Sequence, residues 1–152
     1  MTRILDADEI ADRVERLVHL DTQRARRGLD LTVERIARIT GGGRLDFGGS
    51  EFEPAGRETL KPELAGPEDD YGWWSLDPGS YIVRYNERPT LDSGLIGRVL
   101  PLDRLLQAGA SHPSFLLPDA GGPVETLLTV GDGGCRLKEN CRISRLVVVE
   151  SS

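Results

Sequence analysis

The 152-residue sequence is long enough for one domain that buries roughly 70% of its unfolded surface. Its formal charge of −6, with Lys61 and Lys138 as the only lysines, argues against general nucleic-acid binding, which relies on basic side chains neutralising phosphates. No apolar run reaches the ~18 residues a membrane helix needs, and the opening MTRILDADEIADRV is charged where a signal peptide is apolar. The expectation is a single cytoplasmic domain spanning 1–152, with no membrane contact.

In chain order, Asp6 and Glu9 form a capping-box pattern. They predict a helix with Ile10, Val14, Leu17 and Val18 along one face. After the basic run Arg24, Arg26 and Arg27, the segment GLDLTVERIARI alternates Leu29, Leu31 and Val33 and predicts a strand, although ERIARI also fits a helical turn. From Gly41 to Gly72 the chain is polar and broken by GGG, GGS, PAG and GPEDD, so a long excursion with one hairpin near Arg44–Phe52 is expected.

From Trp73 the rhythm is β throughout. WWSL, SYIVRYNE, LIGRVL, SFLL, VETLLTV and CRISRLVVVE alternate with Gly/Pro turns, the pattern of a sandwich or barrel. PLDRLLQAG breaks that rhythm as a short helix, capped near Asp103, with Leu102, Leu105 and Leu106 facing inward. Of the adjacent Trp73 and Trp74, at least one belongs to the core, because neighbours on a strand point to opposite faces.

Cys135 and Cys141 are too widely spaced for a zinc pair, and the sequence has only His19 and His112 to add; two reduced cysteines at strand positions are expected. The H-x-E with P-C-x-x-C signature of zinc nucleobase deaminases is absent. His112, in ASHPSF, reads as a loop residue.

The order of GLDLT (28–32), LDPGSYIVRY (76–85), GLIGRV (94–99), PDAGG (118–122) and ENCRISRLVVVE (139–150) resembles the trimeric dUTPase and dCTP deaminase superfamily, particularly its compact archaeal-type members. That resemblance implies a mainly β, distorted jelly roll with a short N-terminal helix. It also implies a homotrimer with sites between subunits, and dUTP or dCTP as ligand. Mg2+ would accompany a bound triphosphate, with Asp30 of the first motif beside metal and phosphates. Asp119 matches the water-activating aspartate of the hydrolases. Glu125 lies near the general-base glutamate of the deaminases, although an ungapped comparison puts Leu127 on it. Arg98, Arg104 and Arg145 are the substrate-binding candidates.

Four departures weigh against inherited catalysis. The Arg-Ser-Ser or Lys-Ser-Ser phosphate grip is replaced by Leu102, Asp103 and Arg104 after Pro101, and a carboxylate ~5 Å from a phosphate costs on the order of 3 kcal/mol at an effective dielectric near 20. No aromatic follows Asp119 to stack on a sugar. Arg145 stands where an amide usually reads the base, and a guanidinium only donates. No Gly-rich closing arm is expected after VVVESS, which speaks only against the arm-dependent mechanism of the hydrolases. The expected function is therefore a non-catalytic member that binds a deoxynucleotide or a partner. The alternative is a divergent dUTP diphosphatase or dCTP deaminase.

Overall fold

The computed structural model describes residues 2–151. It begins with β1 (Thr2–Ile4), α1 (Ala7–Ala11), β2 (Val14–Glu15), α2 (Leu20–Gln23), β3 (Arg24–Ala25) and the long β4 (Gly28–Gly41). Next come β5 (Gly56–Thr59), β6 (Trp73–Leu76), β7 (Gly79–Tyr85), β8 (Arg88–Pro89) and β9 (Leu95–Pro101). The chain continues through α3 (Asp103–Gln107), β10 (Ala110–Ser111), β11 (Phe115–Leu116), β12 (Glu125–Val130), β13 (Cys135–Lys138) and β14 (Arg142–Ser151).

The main sheet is antiparallel and runs β10-β12-β7-β4-β14-β9-β11. Its curl comes from β4. Leu29–Thr32 pair with β14, whereas Val33–Arg38 pair with β7, so one 14-residue strand belongs to two halves of the sheet. The far end of β4 pairs with β5, and the chain between them closes as a hairpin through the Arg44–Glu53 bridge. β6 and β13 make a separate two-stranded ribbon. The apolar faces of both halves meet in one core around Leu29, Leu31, Ile36, Val83, Leu128 and Leu146. The distorted jelly roll expected from the motif order is the observed fold.

Two local expectations change, at the end of α1 and in α3, and the strand expected over ERIARI is observed. The Asp6–Glu9 capping box forms, with Glu9 N–H donating to Asp6 Oδ1 at 2.8 Å, but the helix ends at Ala11. Val14 instead pairs with Pro89 in the β2–β8 ribbon, and Arg16 turns the chain at φ 67°. ERIARI is strand throughout, held on both sides by β5 and β7. In α3 only Leu105 is buried, Leu106 is 71% exposed, and the cap position is Leu102, which offers no side-chain acceptor. Trp74 is the core member of its pair.

Candidate functional site

The first half of β4 does not alternate. Every residue from Gly28 to Val33 is buried, because α2 and the segment before it cover the polar face. Asp30 therefore sits 2% exposed in the sheet. A buried carboxylate needs charged partners, and β14 supplies two: Arg145 Nε donates to Asp30 Oδ1 at 2.9 Å, and Arg142 Nη1 to Oδ2 at 3.0 Å. Arg145 is the direct cross-strand neighbour of Asp30, and Arg142 reaches it across a β-bulge.

Gly28 makes the arrangement possible. A Cβ there would lie 2.7 Å from the Leu146 carbonyl oxygen and 2.9 Å from Arg145 Cγ. The glycine of the GLDLT motif thus leaves room for the stem of the arginine that holds its aspartate.

The cover is pinned by Gln23. Its Oε1 accepts from the Val18 and His19 amides, while Nε2 donates to the Asp30 carbonyl and to Glu87 Oε2. Glu87 is fully buried and also accepts from the Thr32 amide at 2.8 Å and the Thr32 hydroxyl at 2.6 Å. Burial pushes the Glu87 carboxyl above its ordinary range, and the donors from Thr32 and Gln23 pull it back.

Beside this network lie two adjoining cavities that share Arg104, Asn140, Cys141 and Arg142. The smaller, about 210 Å3, is bounded by His19, Thr22, Gln23 and Thr32. The larger, about 530 Å3, opens toward Trp73, Arg136 and Lys138. Asp30 carries one negative charge against two guanidiniums, so the cluster keeps a net positive charge next to Arg104. Such a surface attracts anions. Burial pushes the Cys141 thiol up to about 11, so it is protonated and inert at neutral pH.

The remaining candidates lie elsewhere. Asp119 is exposed in the loop before β12, at the edge of a cavity of about 700 Å3 lined also by Asp92 and by no basic residue. Glu125 lies outside that cavity; its carboxylate accepts from Arg57 at 2.9 Å and Arg84 at 3.1 Å. Leu127 shares the outward face of β12 with Glu125, as strand alternation requires. Arg98 is exposed on β9. Asp30 and Arg145 are brought together, with Arg142 and Arg104 near them; Asp119, Glu125 and Arg98 are not.

The resemblance also implies a magnesium ion. Among the described residues no group of three or more His, Cys, Asp and Glu side chains could hold a metal, and both Asp30 oxygens already accept from arginines. This donor set fits a guanidinium clasp and not a protein-held Mg2+ ion.

A second buried polar chain was not visible in the sequence. Tyr85 Oη lies 2.6 Å from Ser144 Oγ, which lies 2.7 Å from His112 Nε2; His112 Nδ1 lies 2.8 Å from the Pro113 carbonyl oxygen. His112 is thus a buried partner of β14, though it sits outside a regular element.

No family model matches the chain. It is 34% identical over 137 residues to a probable deoxyuridine 5'-triphosphate nucleotidohydrolase of Methanosarcina acetivorans, covering 88% of this chain and 76% of that protein. It is 31% identical over 158 residues to a protein of the same name from Archaeoglobus fulgidus, covering 98% and 89%. Its fold is similar to that of a 2'-deoxycytidine 5'-triphosphate deaminase from Agrobacterium tumefaciens, with a TM-score of 0.69 at 17% identity. That match takes in 99% of this chain, which spans about half (47%) of the deaminase. With this extent of identity to the two archaeal proteins and this fold, the chain belongs to the dUTPase/dCTP deaminase superfamily.

Proposed function

We propose that this chain binds a deoxynucleoside triphosphate of the dUTP or dCTP class at the arginine-lined depression, as a dUTPase-like protein that does not turn its ligand over. One observation carries the reading. Asp30 and Glu125 are each neutralised by two guanidiniums, while Asp119 borders a cavity with no cation to meet a phosphate. The oxygens of both carboxylates are occupied by guanidinium donors at 2.9–3.1 Å, so neither paired acid is placed to take a proton from a substrate water. Arg104 and the net positive Asp30–Arg142–Arg145 cluster supply the anion affinity. By the family resemblance, the working state is a cytoplasmic homotrimer of one-domain subunits, and Mg2+ enters only with the triphosphate.

A second reading, an active dUTP diphosphatase, is favoured by the name its archaeal relatives carry at 31–34% identity over most of the chain. The two separate in one experiment. Purified protein is incubated with magnesium and dUTP or dCTP; pyrophosphate and ammonia are measured, and melting is followed in parallel. A ligand present at 100 times its Kd stabilises the native state by about 2.7 kcal/mol. Stabilisation without product supports the first reading, and it should weaken about tenfold in affinity in Arg104→Gln. Pyrophosphate release replaces it with the second, and ammonia release with a deaminase. No binding of either nucleotide overturns all of them.

A further inference from the structure

The ribbon formed by β6 and β13 holds cations that none of the proposed steps uses. Lys138 is the cross-strand partner of Trp73, and Arg136 pairs with Ser75 two residues further on, so all four side chains share one face. The Arg136 guanidinium carbon is 4.9 Å from the centre of the Trp73 ring and Lys138 Nζ is 5.5 Å from it. The indole quadrupole attracts both cations and holds them at the rim of the 530 Å3 cavity that Arg104 also lines.

Among the described residues, Arg104, Arg136 and Lys138 make no salt bridge. In a chain of net charge −6 this is a local inversion of sign. Glu139, the one acid lining the cavity, accepts from the Gly72 amide at 3.2 Å, which ties it to the ribbon's entry. Several cations facing a single acid still repel one another, and a multivalent anion relieves that repulsion.

We infer that the cavity walled by Trp73, Arg104, Arg136 and Lys138 is a binding site for a polyphosphate chain. The indole is engaged by the two cations, so recognition there is of phosphate charge and not of a base. The cavity volume lies within the ~300–1,000 Å3 usual for small-molecule sites. The polyphosphate can be the tail of a nucleotide or a free inorganic chain. The first case rests on the nucleotide reading above, with which the site shares Arg104; the second does not.

Trp73 is a built-in reporter, since the sequence has only one other tryptophan, Trp74, which is buried. Inorganic tripolyphosphate, dUTP and ATP are titrated into the full chain, with tryptophan emission and calorimetry followed together. The expected result is saturable tripolyphosphate binding that changes the emission and weakens with salt. Its affinity falls at least tenfold in R136Q/K138Q and is kept in the charge-preserving R136K/K138R, which also controls for folding. In W73F the emission change disappears while calorimetry still reports binding. Equal tripolyphosphate affinity in R136Q/K138Q and the native chain overturns the inference, as does failure of tripolyphosphate to saturate by either method. Tripolyphosphate that binds while dUTP neither binds nor displaces it keeps this site and removes the nucleotide reading. Binding of dUTP that survives R136Q/K138Q, with no tripolyphosphate binding, does the reverse. ATP binding as tightly as dUTP assigns the affinity to the phosphates alone.

Discussion

Replacing Ser144 by alanine tests how far the buried Tyr85–Ser144–His112 chain stabilises the fold. The Pro113 carbonyl is an acceptor only, so His112 Nδ1 carries the hydrogen and Nε2 is the bare nitrogen. Ser144 must then donate to Nε2 and accept from Tyr85 Oη. Tyr85 and Ser144 are fully buried and His112 nearly so. Ser144→Ala therefore strands a phenolic donor and an imidazole acceptor at once. At about 1–3 kcal/mol for each unsatisfied buried group, the loss is about 2–6 kcal/mol. For a protein of this size it lowers Tm by about 5–20 °C. Tyr85→Phe removes a terminal member and leaves the Ser144–His112 bond intact, so it costs only ~1 kcal/mol. Urea unfolding of the two variants at pH 7.5 makes the comparison. Equal losses, or a larger loss for Tyr85→Phe, would refute the assigned directions and the energetics built on them.

The same chain predicts a pH dependence. Burial depresses the His112 pKa below 6.5, so its contribution is complete above 6.5 and is lost as pH falls through the depressed value. The stability difference between native protein and His112→Asn should therefore shrink between pH 7.5 and 5, and a constant difference would count against it. Gln23→Ala removes four hydrogen bonds and should cost about 2–6 kcal/mol. Hydrogen exchange at the Val18 and His19 amides should speed up at least tenfold, and unchanged protection would show that Gln23 does not pin the cover. Gly28→Ala drives a Cβ against the Leu146 carbonyl, a backbone atom that cannot rotate away, and should cost about 1–3 kcal/mol. Unlike other substitutions of that cost, it should also weaken deoxynucleotide binding, because Arg145 is displaced from Asp30; a stable Gly28→Ala with native affinity contradicts this account.

Much of the strand order was readable because it rests on local rules. β-branched and aromatic runs between Gly/Pro turns gave β4, β6, β7, β9, β12 and β14 their places, and Asp6 with Glu9 marked where α1 begins. Its end was hidden, since Val14 leaves the helix to pair with Pro89, 75 residues away along the chain. The same limit governed the site. Asp30 stood out as a polar residue between leucines, but its full burial depends on a cover assembled by Gln23 and Glu87. Glu87, at the end of the SYIVRYNE run, carries no local signal of burial, because its two donors come from Thr32, 55 residues earlier. Ser144 follows the buried Ile143 and by alternation belongs outside; the bulge between Arg142 and Ser144 resets the phase and turns it inward.

The placement of β14 has a kinetic consequence. It lies between β4 and β9 and also carries β1, joining Thr2 to Ser151, so the last strand of the described chain occupies the interior of the sheet. Until it arrives, β4 and β9 each present an unpaired edge, and Asp30 has neither arginine. Pairings this distant in sequence are slow to form. During synthesis the nascent sheet therefore waits, open at its middle, for Arg142–Ser151, and the interval before that strand docks is when this molecule is most exposed to misassociation.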